Sequence, residues 1–370
     1  MKVNNPAIYA FFTAVFFGLG APLAKVILGG VAPMMLAAFL YFGSGIGLSG
    51  YLLIQRMHGN SRHTWEAALQ RSDLPWLLGV ILFGGFLAPL VLMSSLQLTH
   101  AATASLLLNF EAVATTLIAV LIFREAVGRR IGMALALITG SCVLLTWEPD
   151  ALVGFSLPAL GVLLTCVFWA LDNNFARNIS AKDPLPIIAT KGIIGGTLSL
   201  SVGLLLGETI PTLSSGLTAM VLGFFCFGGL ISVFFLLALR GIGTSRSASI
   251  LAISPLFGVP VAFVLFSDLP RSNFFVAAPI MAVGVWMLIT EEHTHQHVHP
   301  AEVHEHRHQH DDLHHHHVHQ DQDPPVSPSG EHSHIHAHSE IRHVHSHRPD
   351  IHHRHTHEES SENRFRKRGW

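Results

Sequence analysis

The stretch Cys166-Val167-Phe168-Trp169-Ala170-Leu171-Asp172-Asn173-Asn174-Phe175-Ala176-Arg177 puts an acid and two amides inside an apolar run. The run extends upstream through Leu157, Gly161 and Leu164. A helix rises about 1.5 Å per residue and roughly 20 residues span the hydrocarbon, so the segment from Ser156 to Arg177 is long enough to cross a bilayer. Polar groups at that depth need a reason. The stretch also echoes the start of the chain without a gap: Val15-Phe16-Phe17-Gly18-Leu19-Gly20-Ala21-Pro22-Leu23-Ala24-Lys25 aligns with Val167 to Arg177. The echo points to a duplicated transmembrane protein.

Half of the 370 residues are hydrophobic and only 12% are charged, well under the roughly one quarter of a globular domain. Most of the chain therefore has the bilayer as its solvent. Charge is segregated along it: the first 292 residues hold 14 Lys and Arg and 12 Asp and Glu, whereas the last 78 hold 8 and 12 together with 24 of the 27 histidines. A net charge of −2 gives no reason to expect a nucleic-acid partner. Cys142, Cys166 and Cys226 all lie in apolar runs without a Cys-x-x-Cys spacing, so they read as small packing residues. The first 25 residues have Lys2 ahead of an apolar core but no convincing small-x-small cleavage site, and their place in the echo assigns them to the repeat.

Apolar runs of spanning length fall near residues 7–28, 32–54, 74–97, 101–123, 131–148, 156–177, 185–207, 216–239, 246–267 and 272–290. The expected fold is an all-α integral membrane protein of ten transmembrane helices. Placing the N-terminus in the cytoplasm leaves alternate loops basic, with Arg56, Arg62 and Arg71, then Arg124, Arg129 and Arg130, then Arg177 and Lys182, then Arg240 and Arg246. The opposite loops carry Glu148, Asp150, Glu208 and Asp268 with Arg271 as their one clear cation. Cytoplasmic loops are enriched in Lys and Arg, so both termini are expected in the cytosol and the protein in the cell inner (plasma) membrane. Five spans per half is odd, so the two halves, residues 1–150 and 151–292, would be inverted repeats, with residues 293–370 a disordered tail.

A second correspondence supports duplication. Ala104-Ser105-Leu106 near the start of the fourth span resembles Ala248-Ser249-Ile250 in the ninth, and the two spans close on acids, Glu125 after Phe123-Arg124 and Asp268 after Phe266-Ser267. With the aromatic-rich first helix of each half, the run Ala104-Ser105-Leu106-Leu107-Leu108 leading to Glu111, and Ser254-Pro255, residues 7–290 resemble the drug/metabolite transporter superfamily of ten-span carriers with a repeated EamA domain. The resemblance implies a secondary carrier of small solutes. The family pattern commonly has proline after the mid-helix glutamate, where Ala112 stands here.

Glu111 is the first candidate for a substrate or proton site, because an ionised carboxylate in mid-span is costly unless paired or hydrated. Asp172 is expected to point inward and Asn173 is a further candidate on the substrate or proton pathway, while the triplet with Asn174 cannot all face one cavity. Lys191, about two turns into the seventh span, is the candidate counter-ion for Glu111 or Asp172. Lys25 is expected to snorkel to the headgroups and His100 to sit at the interface. Gly43 with Gly47, Gly192 with Gly196, and Gly203 with Gly207 have the small-x-x-x-small spacing of close helix contacts. Phosphate-loop, His-Glu-x-x-His and Gly-x-Ser-x-Gly signatures do not occur, so the chain does not read as an enzyme and requires no cofactor.

The tail holds two histidine blocks. The first has His295, His297, His299, His304, His306, His308, His310, His314 and His316; the second has His334, His336, His338, His343, His345, His347, His353, His355 and His357. His-x-His puts alternate imidazoles on one side of an extended chain, and two such pairs supply the four nitrogens a tetrahedral zinc ion prefers. Nickel or cobalt would bind as well, and protonation near pH 6.5 would release any of them. The function expected is export or exchange of a small metabolite by a carrier whose tail binds divalent metal. A Zn, Ni or Co efflux carrier is the first alternative, and a membrane-anchored metal buffer or sensor without transport the second. The expected partners are the lipid bilayer, the solute, divalent metal and a second copy in a homodimer.

Overall fold

The computed structural model describes residues 6–58, 69–123, 128–149, 151, 154–179, 182–266, 270–290, 293–299, 303–308, 332–337 and 341–347. Helices α1 (Pro6–Leu28) and α2 (Pro33–Met57) lead in. The next crossing, Arg71–Leu98, is composite: a 3-10 turn at Arg71–Asp73, α3 (Leu74–Gly79), π-helical turns at Val80–Leu87, and α4 (Ala88–Leu98). Pro89 explains the wide turns, since it has no N–H for the carbonyl four residues back and its ring crowds that carbonyl. Then come α5 (Ala101–Leu107) and α6 (Phe110–Phe123), separated at Leu108 and Asn109, then α7 (Arg129–Thr146), α8 (Leu157–Asn178) and α9 (Pro184–Leu205). Helices α10 (Leu213–Cys226), α11 (Leu230–Leu251), α12 (Pro255–Leu265) and α13 (Ser272–Ile289) complete the body.

Among the described residues nine segments are long and apolar enough to cross a membrane. The run expected at 246–267 differs: its start belongs to α11, which continues to Leu251, and its remainder is α12, with 11 residues. Eleven residues rise only about 16 Å, half of the hydrocarbon. Pro255 ends the ladder there because it cannot donate to the turn before it. The fourth crossing is also broken, but three residues ahead of Glu111 and without a proline: Asn109 N–H bonds to Leu106 O at 3.1 Å and Glu111 N–H to Leu108 O at 3.1 Å. Glu111 therefore sits in the first turn of α6.

Helix α2 packs along α9, and glycines set the distance. A Cβ at Gly192 would lie 2.7 Å from Gly45 Cα, so only hydrogens fit between the backbones. Gly43 and Gly47 meet Met220 and Phe224 of α10, and Gly196 meets Phe42. Gly207 differs from the rest: a Cβ there would meet nothing within 4 Å, and its φ is +76°. It ends α9 in a Schellman turn, with Glu208 N–H on Gly203 O at 2.9 Å and Gly207 N–H on Leu204 O at 3.1 Å. That turn sends Glu208 back to α2, where its carboxylate accepts from Met34 N–H at 3.3 Å and Met35 N–H at 2.9 Å. A carboxylate at these otherwise orphaned amides also suits the helix dipole.

Four strands carry the described tail residues: β1 (His293–His299), β2 (Val303–His308), β3 (His332–Ala337) and β4 (Ile341–His347). They pair antiparallel, β1 with β4 and β2 with β3, with His295 opposite His345 and His306 opposite His334. His-x-His alternation has the period of a strand, although two strands alone build no core. Glu125, Asp150 and Asp268, and the tail histidines His310, His314, His316, His338, His353, His355 and His357, lie outside the described residues.

Candidate functional site

Polar groups converge where the broken fourth crossing meets α8. Glu111, Asp172 and Lys191 are 7%, 7% and 8% exposed, so all three charges are withdrawn from solvent and from lipid. Lys191 Nζ from α9 donates to Asp172 Oδ2 on α8 in a buried ion pair. Asn173 Nδ2 donates to Glu111 Oε1 at 2.8 Å. Of the two acids open to Lys191 from sequence, the structure pairs it with Asp172. The polar triplet divides as one helical turn requires, Asp172 and Asn173 reaching the site while Asn174 Nδ2 returns to Ala170 O of its own helix at 2.7 Å.

Two oxygens are left over. Glu111 Oε2 and Asp172 Oδ1 are buried and have no hydrogen-bond partner among the described residues. Leaving such a group unmade costs about 1–3 kcal/mol, more when it is charged. Both acids, with Asn173 and Lys191, line one cavity of about 70 Å³, walled by Phe17, Tyr41, Trp169 and Phe227 among others. That volume holds a few ordered waters or a small functional group.

The π-helical turns hold the pair from the other side. Tyr41 Oη on α2 donates to Gly84 O at 2.5 Å, which uses a carbonyl the irregular ladder leaves available. A Cβ at Gly84 would lie 2.6 Å from Lys191 Nζ and closer still to the Asp172 carboxyl, so a side chain there cannot coexist with the ion pair. At the break before α6, the Cys166 thiol lies 3.6 Å from both Leu107 O and Leu108 O, the second of which also accepts from Glu111 N–H. All three cysteines are free and buried.

Sequence reasoning missed Tyr41 and Gly84. Tyr41 is one of three tyrosines in the chain, while Gly84 belongs to a tandem glycine in an apolar run; those were the available signals. Lys25 Nζ donates to Leu96 O at 2.9 Å and Thr99 O at 2.5 Å, closing the C-terminal end of α4. His100 is exposed beside it, in a second pocket of about 130 Å³ with Lys25, Gln97 and Phe266. Among the described side chains no three His, Cys, Asp or Glu gather as metal ligands.

The EamA-like transporter family matches residues 5–147. An uncharacterized transporter of Methanothermobacter thermautotrophicus is 30% identical over 291 residues, covering 74% of this chain and 83% of that protein. A crystal structure of another protein superposes with a TM-score of 0.55 at 18% identity, covering 75% of this chain and 94% of that one. At that identity the likeness speaks for the fold alone.

Proposed function

This chain belongs to the EamA-like transporter family, and from that premise we propose that it is a secondary carrier of a small metabolite, working as an exporter or exchanger. Glu111, Asp172, Asn173 and Lys191 form its solute or proton site. The observation that carries the reading is the pair of unpartnered carboxylate oxygens at a cavity inside the apolar body, beside a broken helix. Burying charge there without a ligand to receive is costly, and transporter sites form where interrupted helices leave backbone and side chains to coordinate cargo.

In this reading ten spans form two inverted five-span halves, residues 1–150 and 151–292, in the inner (plasma) membrane with both termini cytoplasmic. The echo of residues 15–25 at 167–177 supports it, as do the contact of α2 with α9 and the helix breaks ahead of Glu111 and Pro255. The tail, residues 293–370, binds Zn, Ni or Co through its alternating histidines. The richness of that tail keeps the metal-efflux reading alive, and the anchored buffer or sensor after it.

Purified protein in liposomes separates these. A carrier moves solute down an imposed gradient, and Glu111→Gln lowers the rate by about tenfold or more while inserting normally. Wild-type rates in that variant would remove Glu111 from the site. Truncation after Glu292 is expected to remove metal binding and leave metabolite transport unchanged; metal flux lost with the tail would favour the efflux reading. No movement of solute or metal under any gradient would leave only the buffer or sensor.

A further inference from the structure

The polar atoms at the cavity are unevenly committed. Four of the lining side chains donate within the protein: Thr13 Oγ1 to Tyr9 O at 2.8 Å, Tyr41 Oη to Gly84 O at 2.5 Å, Asn173 Nδ2 to Glu111 Oε1 at 2.8 Å, and Lys191 Nζ to Asp172 Oδ2. The acceptors are in surplus, since Glu111 Oε2 and Asp172 Oδ1 have none of these donors. Charge follows the same direction. Among the described lining residues two carboxyl groups face one ammonium, and that ammonium is already matched to Asp172.

A ligand that brings hydrogen-bond donors and positive charge completes this set. One that brings a carboxylate finds only the ammonium already paired with Asp172 and adds a third acid to a buried site. Phe17, Trp169 and Phe227 supply aromatic faces beside the acids, which suit an apolar body and also attract a cation. We propose that the solute is an amine, a cationic nitrogen on an apolar or aromatic body, without an obligatory carboxylate. The nitrogen donates to Glu111 Oε2 and Asp172 Oδ1 while Lys191 keeps its place on Asp172. The proposal rests on the carrier reading for transport but not for binding, and the two are tested separately.

The test uses full-length protein and a matched series on one aromatic body: 2-phenylethylamine, phenylalanine and 3-phenylpropionate. In detergent, ligand-induced thermal stabilisation is expected to report amine binding at least about tenfold tighter than acid binding, the worth of one charge-assisted hydrogen bond. Glu111→Gln is expected to cut that preference several-fold. Should the variant fail to fold, Asn173→Ala provides the second arm: it frees Glu111 Oε1 as a further acceptor, so the preference for the amine is retained or increased. Equal binding of amine and acid, or preference for the acid, overturns the proposal. Counterflow in liposomes is read independently. Amine binding without flux of any solute keeps the proposal and sinks the carrier reading, whereas flux of the acid in preference to the amine does the reverse.

Discussion

Helices α1 and α8 are aligned in sequence, nearly equal in length at 23 and 22 residues, and opposite in what they do. Where α1 has Gly20-Ala21-Pro22, α8 has Asp172-Asn173-Asn174. The α1 triplet is buried and small: a Cβ at Gly20 would lie 3.3 Å from the Phe227 ring, and Ala21 forms part of the cavity wall. The α8 triplet supplies the ion pair with Lys191 and the amide on Glu111. At the aligned triplets one helix contributes shape and the other charge. Their last turns diverge as well, since Lys25 closes the end of α4 at the position aligned with Arg177.

The comparison is broken most severely by removing the charge that α8 depends on. Lys191→Ala leaves Asp172 buried and unpaired, with an expected loss of about 3–5 kcal/mol in folding stability. Thermal unfolding in detergent measures it, and pairing Lys191→Met with Asp172→Leu in one protein is expected to recover most of the loss while solute binding stays abolished. A double variant no more stable than Lys191→Ala would mean that the ion pair is not the cause. Gly84→Ala comes next. Its methyl group displaces the pair instead of removing it, at about 1–3 kcal/mol for overpacking, and solute affinity should fall further than in Gly50→Ala, where the added methyl meets nothing.

The smallest expected effect is on the α1 side. Lys25→Met keeps the length of the side chain but loses the cap on α4, at about 1–2 kcal/mol. Solute binding should be nearly unchanged, because Lys25 does not line the central cavity. Binding lost in proportion to Gly84→Ala would erase the distinction between the two helices.

Much of the architecture was legible in the residues. The expected run at 156–177 matches α8 at Leu157–Asn178, and that at 185–207 lies close to α9 at Pro184–Leu205, because continuous apolar length is a local property that a bilayer reads directly. The ninth run was less legible, since Ser254-Pro255 interrupts hydrogen bonding without interrupting hydropathy. The break before Glu111 carried even less signal: Asn109 is one polar residue in an apolar run, and the thiol that meets the break, Cys166, is 58 residues from Leu108.

The sequence by itself determined that this is a many-helix membrane protein with buried acids and a histidine-rich end, because hydropathy, charge placement and internal echo are written in the order of residues. Only the tertiary structure decided which acid Lys191 meets, that Gly84 must stay bare, that Tyr41 belongs to the site, and that Lys25 meets the carbonyls at the end of α4. Each of these depends on where helices distant in sequence cross, and a distance of a few ångströms between side chains has no counterpart in the linear pattern of any one helix.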